Sequence, residues 1–288
     1  MHVGLNHPDT IIAMKNLATL YYNQSLYTKA LPLFQSILNI VKDDPTTTTT
    51  TTTTTHTNTN SSTHNDSNND IRIHRYTLLN ALSYYGNTQY QLSNYTEAKQ
   101  TYIEIDNILN KYSRGDVVLR ALLPNNMLNT SMLRATSSTS TPSQRNIYVS
   151  DKNIHKNIHM NTIFIDNNHT NNTTTNNNII DIISIISAYD NYAHIYYKSN
   201  EHDKALPLFE HVLYLRQSYY NTSDNEYDNN NEPSILISYK NIGILYYTTK
   251  EFTKAIVYFK LCYEGRLRLY GEEHSDVISI LGYLGKCI

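Results

Sequence analysis

Apolar positions along this chain fall at i, i+3, i+4 and i+7, the spacing that gathers side chains on one face of an α-helix. The stretches come in pairs. The first pair is Met14-Lys-Asn-Leu-Ala-Thr-Leu-Tyr-Tyr22 and Leu26-Tyr-Thr-Lys-Ala-Leu-Pro-Leu-Phe34. A weaker second pair is Leu82-Ser-Tyr-Tyr-Gly-Asn-Thr-Gln-Tyr90 and Tyr95-Thr-Glu-Ala-Lys-Gln-Thr-Tyr102. The third is Tyr189-Asp-Asn-Tyr-Ala-His-Ile-Tyr-Tyr197 and His202-Asp-Lys-Ala-Leu-Pro-Leu-Phe209. The fourth is Tyr239-Lys-Asn-Ile-Gly-Ile-Leu-Tyr-Tyr247 and Phe252-Thr-Lys-Ala-Ile-Val-Tyr-Phe259, and a fifth begins at Leu281-Gly-Tyr-Leu-Gly285. The pattern predicts helices near Thr10–Asn23, Leu26–Val41, Arg72–Gln91, Tyr95–Lys111, Ile179–Lys198, Asp203–Tyr219, Ser234–Thr248, Phe252–Leu269 and Ser275–Lys286, with strand content close to nil.

Aligned on one another, the pairs share fixed columns. Ala18, Gly86, Ala193 and Gly243 hold a small residue in the first helix. Ala30, Ala98, Ala205 and Ala255 hold another in the second, with Phe34, Tyr102, Phe209 and Phe259 four residues later. Small residues let two helix backbones approach, and the aromatic ring fills the space beside the crossing. These columns resemble the tetratricopeptide repeat. The resemblance implies an all-α fold, a tetratricopeptide-type α-α superhelix (solenoid) of antiparallel helix pairs.

A narrower likeness lies within it. Gly243 and Gly285 are further apart than simple repeats of about 34 residues allow. The linker Tyr270-Gly-Glu-Glu-His-Ser-Asp276, the N-terminal Gly4-Leu-Asn-His-Pro-Asp9 and the prolines Pro32 and Pro207 resemble the long, 42-residue repeats of kinesin light chains. Gln100 and Val257 lack that proline, and Ser275 stands where the linker has one. The resemblance implies that the first helices line a concave groove for extended peptides. Asn16, Asn191 and Asn241, two residues before the small column, would then hold peptide backbone, since an amide both donates and accepts; Tyr84 replaces them in the weak repeat. Four residues after the small column stand Tyr22, Tyr90, Tyr197 and Tyr247. Their large rings and polar tips suit either recognition or packing between repeats.

Polar tracts separate the pairs. The expected organisation is repeat 1 at 1–42, a Thr/Asn-rich insertion at 43–70, repeat 2 at 71–112, a long insertion at 113–178, repeat 3 at 179–220, a linker at 221–232, repeat 4 at 233–274 and a partial repeat at 275–288. The insertions fall between hairpins, where added loop length costs little entropy. Tracts of Asn, Thr and Ser bury too little apolar surface to order themselves and are expected to be disordered. Within the long one, Asp116 to Leu123 reads as one or two helical turns and Asn146 to Ser150 as a short strand.

Composition narrows the function. A formal net charge of −2 gives no field for nucleic acid or an anionic membrane. Cys262 and Cys287 make no disulfide framework and no zinc spacing, and the N-terminus has no secretory apolar region. A cytoplasmic location is the expectation. No phosphate loop, nucleophile elbow or His-Glu-x-x-His motif is present, so no catalytic residue, metal ligand or cofactor is expected. His155, His159 and His169 lie in a polar insertion and lack the surrounding support that metal sites need. What remains is a scaffold for other proteins, binding extended peptide segments in a kinesin-light-chain-like manner. One rival is a regulatory repeat region of a larger enzyme or nucleotide-switch protein. Another, a receptor for terminal carboxylates, needs paired groove cations; Lys15 and Lys240 are available, but Thr19 stands where an Asn is required.

Overall fold

The computed structural model describes residues 7–43, 63–114, 116–124, 180–220 and 232–288. Among the described residues there is no strand, and the fold is all-α. The helices are α1 (Pro8–Asn23), α2 (Tyr27–Asp43), α3 (Thr63–Gln91), α4 (Tyr95–Tyr112), α5 (Val117–Ala121), α6 (Ile182–Lys198), α7 (His202–Tyr220), α8 (Pro233–Thr248), α9 (Phe252–Tyr270) and α10 (Ser275–Cys287). All nine expected helices are present, with boundaries shifted by a few residues except at α3. That helix starts at Thr63, inside the stretch expected to be disordered. Extending a helix already fixed by packing adds one hydrogen bond per residue without a new nucleus, so poor local propensity did not stop it. The short segment after α4 forms α5, capped by Asp116, whose Oδ1 accepts from the Val118 and Leu119 N–H groups at 2.9 and 3.2 Å. The expected strand at Asn146–Ser150 and the histidines His155, His159 and His169 lie outside the described residues.

Each hairpin turns in the same way. Ser25, Ser93, Asn200 and Lys250 all adopt left-handed backbone, with φ between 59° and 65°. At each, the N–H bonds back three residues and the next N–H bonds back five, as in Ser25 N to Tyr22 O (2.9 Å) and Leu26 N to Tyr21 O (2.8 Å). This double bond satisfies carbonyls at the end of the first helix and aims the second antiparallel to it. None of the four is glycine, so the turn is held by its hydrogen bonds against the usual steric cost for a side chain at positive φ. The helix starts repeat too. His7 and His274 cap α1 and α10 with near-identical backbone angles, each Nδ1 accepting from the N–H two residues on.

The chain divides into two compact units, one of residues 1–108 with 170–191, the other of 109–169 with 192–288. In the first, α1 packs on α2 and α2 on α3. Helix α2 buries Ala30, Phe34, Ile37, Leu38 and Val41, a single stripe, and runs on through Pro32. In the second, α7 to α10 pack in sequence, each on the next. This order, each helix against its chain neighbours, is that of an α-α solenoid. Small residues set the closest approaches. A Cβ on Gly86 would lie 2.7 Å from the Tyr102 ring, and one on Gly243 would lie 2.7 Å from Phe259.

Buried polar groups lock particular joints. Arg266 is 5% exposed and donates to the Asp276 carbonyl at 3.2 Å, tying α9 to the start of α10. Arg216 occupies the same column one repeat earlier and donates to Ser238 Oγ at 2.7 Å. His211 on α7 is 5% exposed, its Nε2 lying 2.9 Å from the Leu122 carbonyl beyond α5. Burial drives the imidazole down to about 4, with the Leu122 carbonyl pulling the other way. A depressed histidine contributes stability that is present above its ordinary value near 6.5 and is lost as pH falls through about 4. We therefore expect wild type to lose up to about 3 kcal/mol through this group between pH 7 and pH 4. His211→Gln, which keeps a donor for Leu122, removes that part of the loss. Urea unfolding at a series of pH values measures it.

Candidate functional site

The two columns marked by the sequence occupy distinct surroundings. Each tyrosine four residues after the small column packs on the residue that opens its partner helix. Tyr22 meets Tyr27 at 5.3 Å between ring centroids, Tyr90 meets Tyr95 at 5.4 Å, Tyr197 meets His202 at 5.6 Å and Tyr247 meets Phe252 at 5.7 Å. The five-residue step across the turn makes this contact in every hairpin. The preceding tyrosine completes the grip. Lys29, Lys204 and Lys254 lie over the rings of Tyr21, Tyr196 and Tyr246 at 5.7, 5.5 and 5.1 Å. In the weak repeat these positions are Gln89 and Glu97, and no such pair is possible. In three of the four hairpins a Tyr-Tyr doublet therefore closes the turn, and Tyr22, Tyr90, Tyr197 and Tyr247 remain half-buried.

In the column two residues before the small position, the two tyrosines lie against the aromatic of the preceding hairpin. Tyr84 stacks on Phe34 with centroids 5.1 Å apart, and Tyr283 stacks on Phe259 at the same separation. Burial first, then the charge and hydrogen bond of Asp181, push the Tyr84 phenol up. Of the asparagines in this column, Asn16 is exposed and Asn191 half-buried, while Asn241 is 8% exposed. The Asn191 amide donates to Asn87 Oδ1 at 2.9 Å.

That contact belongs to a polar seam in the first unit. Asn80 Oδ1 accepts from the Asp181 N–H at 2.7 Å, and Tyr84 donates to Asp181 Oδ2 at 2.6 Å. Asn87 Nδ2 donates to the Ser184 carbonyl at 3.0 Å, and Asn87 Oδ1 accepts from Tyr102 Oη at 3.0 Å. Asn80 and Asn87 are 5% and 2% exposed. The seam seats the start of α6 on α3 after the long insertion. Sequence reading missed it, because in so Asn-rich a chain nothing separates a structural asparagine from background. Alignment to the glycine column was the one available signal: Asn87 directly follows Gly86, at the closest helix approach.

The open surface of the first helices takes in only part of these columns. On α8, Ile237 is 39% exposed, Lys240, Ile244 and Tyr247 are half-buried, and Thr248 is exposed. On α1, Asn16 sits beside Leu17 and Leu20, which are 42% and 52% exposed. Cys262 is buried, donates to the Leu236 carbonyl, and has its thiol pushed up to about 11 by burial, so it is no nucleophile. Among the described residues no three His, Cys, Asp or Glu side chains gather as a metal site, and no helix is long and apolar enough to cross a membrane.

Two stretches match tetratricopeptide repeat models, residues 186–219 and residues 235–276. These are α6–α7 and the α8–α9 hairpin with its linker. A search of curated proteins finds no match. Among solved structures the chain is similar to BtubC (BKLC) from P. vanneervenii, at 12% identity and a TM-score of 0.49, covering 97% of this chain and 72% of that one. It is also similar to a candidate kinesin light chain of nearly identical TPR-like repeats from Podosopora anserina, at 12% identity and a TM-score of 0.48, covering 98% and 86%. The repeat assignment rests on the two sequence matches and the repeated columns, not on overlaps of this size.

Proposed function

Given that the chain carries tetratricopeptide repeats, we propose that it is a cytoplasmic scaffold that holds extended peptide segments of partner proteins in a groove lined by its first helices. The observation that carries this reading is α8. One side of it is packed through Tyr239, Ile242, Leu245 and Tyr246, and the other leaves Ile237, Lys240, Ile244, Tyr247 and Thr248 to solvent in whole or part. An apolar surface with one cation and a tyrosine edge offers contact area together with polar anchoring, the mixture peptide grooves use. We extend the reading to both columns, as separate faces of the two units. In the first, Asn16, Asn191, Tyr22 and Tyr90 would border the peptide. In the second, Tyr197, Asn241 and Tyr247 would do so. Asn191 has a hydrogen bond within the fold to give up, so Asn16 is the cleaner probe.

Peptides selected on the full chain from a display library should protect α8 amides from hydrogen exchange. Ile237→Glu should then weaken them roughly tenfold or more, as loss of a central apolar contact does, with the melting temperature unchanged. Asn16→Ala should weaken peptides that map to α1 by about 1 kcal/mol, one hydrogen bond's net worth. Selected peptides that map only to the second helices of the hairpins, or bind Ile237→Glu as well as wild type, would overturn the reading.

A further inference from the structure

Beside the seam that seats α6 lies a buried acid that no base among the described residues pairs. Asp106 on α4 is 4% exposed, and its Oδ1 accepts a hydrogen bond from the Tyr189 hydroxyl at 2.8 Å. Tyr189 is itself 3% exposed, and it lies on α6 between Ile185, Ile186 and Tyr192, all buried. We propose that Asp106 and Tyr189 form a proton-operated clasp, which tightens the seating of residues 182–191 on α3 and α4 as the surroundings acidify.

The geometry sets the direction. A carboxylate out of water with one hydroxyl for company is poorly solvated, whereas the neutral acid loses little by burial. Burial raises Asp106 to about 6, and the Tyr189 hydroxyl pulls it back only in part. The other charged groups on the packed elements do not offset this. Glu104, two residues back on α4, turns to Lys42 of α2 at 2.7 Å. Asp181 at the start of α6 is engaged by Tyr84, and Asp190 lies at the half-buried edge. Arg72, His74 and Arg75 on α3, and Glu97, Lys99 and Lys111 on α4, exert no effect on Asp106 comparable with burial or Tyr189. A carboxyl raised in the folded state contributes stability that is fully present below its ordinary value of 3.8 and is lost as pH rises through about 6. From pH 7.5 down to pH 5 this one group should shift the folding equilibrium about tenfold toward the seated state.

The experiment uses the full chain with aspartate side-chain carboxyl carbons labelled. Asp106 should titrate with a midpoint near 6 in wild type. Tyr189→Phe, which removes the hydroxyl that favours the charged form, should move that midpoint higher. Asp106→Asn keeps an acceptor for Tyr189 and is neutral at every pH. Relative to it, wild type should gain about tenfold in folding equilibrium between pH 7.5 and pH 5, and amide protection in residues 182–191 should follow once intrinsic exchange is corrected. A wild-type midpoint below about 4.5, within the ordinary carboxylate range, overturns the clasp even if Asp106→Asn fails to fold. So does a midpoint that Tyr189→Phe leaves in place, or a pH profile that wild type and Asp106→Asn share.

Discussion

Phe259→Ala should lower the free energy of unfolding by about 3–5 kcal/mol, the usual range for removing a fully buried ring. Phe259 has no exposed surface. One face of its ring lies where a Cβ on Gly243 would have to go, and Tyr283 stacks on it with centroids 5.1 Å apart. A cavity there is poorly filled. Glycine has no side chain to swing in, and Tyr283 is also held by Tyr247, 6.4 Å away between centroids. The reverse change probes the same fit. Gly243→Ala brings a methyl to 2.7 Å from the ring, and Tyr283 limits the ring's retreat, so we expect a loss of about 1–3 kcal/mol from overpacking. Ala18 and Ala193 carry that methyl in the same column, so the tolerance belongs to each hairpin's spacing. Urea unfolding against Val257→Ala, a change on the same helix at a residue 55% exposed, separates the effect from helix propensity. A Phe259→Ala loss within about 1 kcal/mol of that control would show that the ring is not what holds α8, α9 and α10 together.

How far the sequence foretold this arrangement depends on what each residue type can do alone. Ala30, Phe34 and their counterparts were legible because few residue types fit a close helix crossing, and the same choice recurs in every pair. The turn at Ser25, Ser93, Asn200 and Lys250 was not. Left-handed backbone is usually announced by glycine, and here the surrounding hydrogen bonds impose it on Ser, Asn and Lys. Nor was the pairing of Arg216 with Ser238 and Arg266 with Asp276 noticed, although the two arginines share a column, because long basic side chains ordinarily read as solvated surface. The tyrosine column was seen, with recognition and packing left level. Geometry adds the contact with the first residue of the partner helix, a step across the turn that helical periodicity within one helix does not describe. The asparagine column is subtler. Asn16, Asn191 and Asn241 are alike in sequence, yet their exposure differs, since packing that the sequence does not spell out, such as the hydrogen bond of Asn191 with Tyr102, decides how much water each amide keeps.

Asn87 carries the other large effect. Its side chain is 2% exposed and makes three hydrogen bonds, accepting from Tyr102 and Asn191 and donating to the Ser184 carbonyl. Asn87→Leu removes all three and offers no replacement. The Ser184 carbonyl suffers least, because the backbone of α6 already supplies it with a helical donor. Tyr102 is 2% exposed, and its buried hydroxyl is left with the Asn191 amide alone, a loss of about 1 kcal/mol. Asn191, half-buried, regains water only in part. With the added bulk of leucine beside Gly86, the total should reach about 3–5 kcal/mol. A double-mutant cycle apportions it. Tyr102→Phe by itself removes the hydroxyl's hydrogen bonds to Asn87 and Asn191 and leaves those two amides bonded to each other, so it should cost about 1 kcal/mol. Combined with Asn87→Leu, it removes a hydroxyl that has already lost its Asn87 partner, and the double mutant should be more stable than the sum of the singles predicts by about 1 kcal/mol. Strict additivity would mean that the Asn191 amide alone satisfies the Tyr102 hydroxyl when Asn87 is gone. The seam would then be a set of independent contacts, each adding on its own to the burial of Ile182, Ile185 and Ile186.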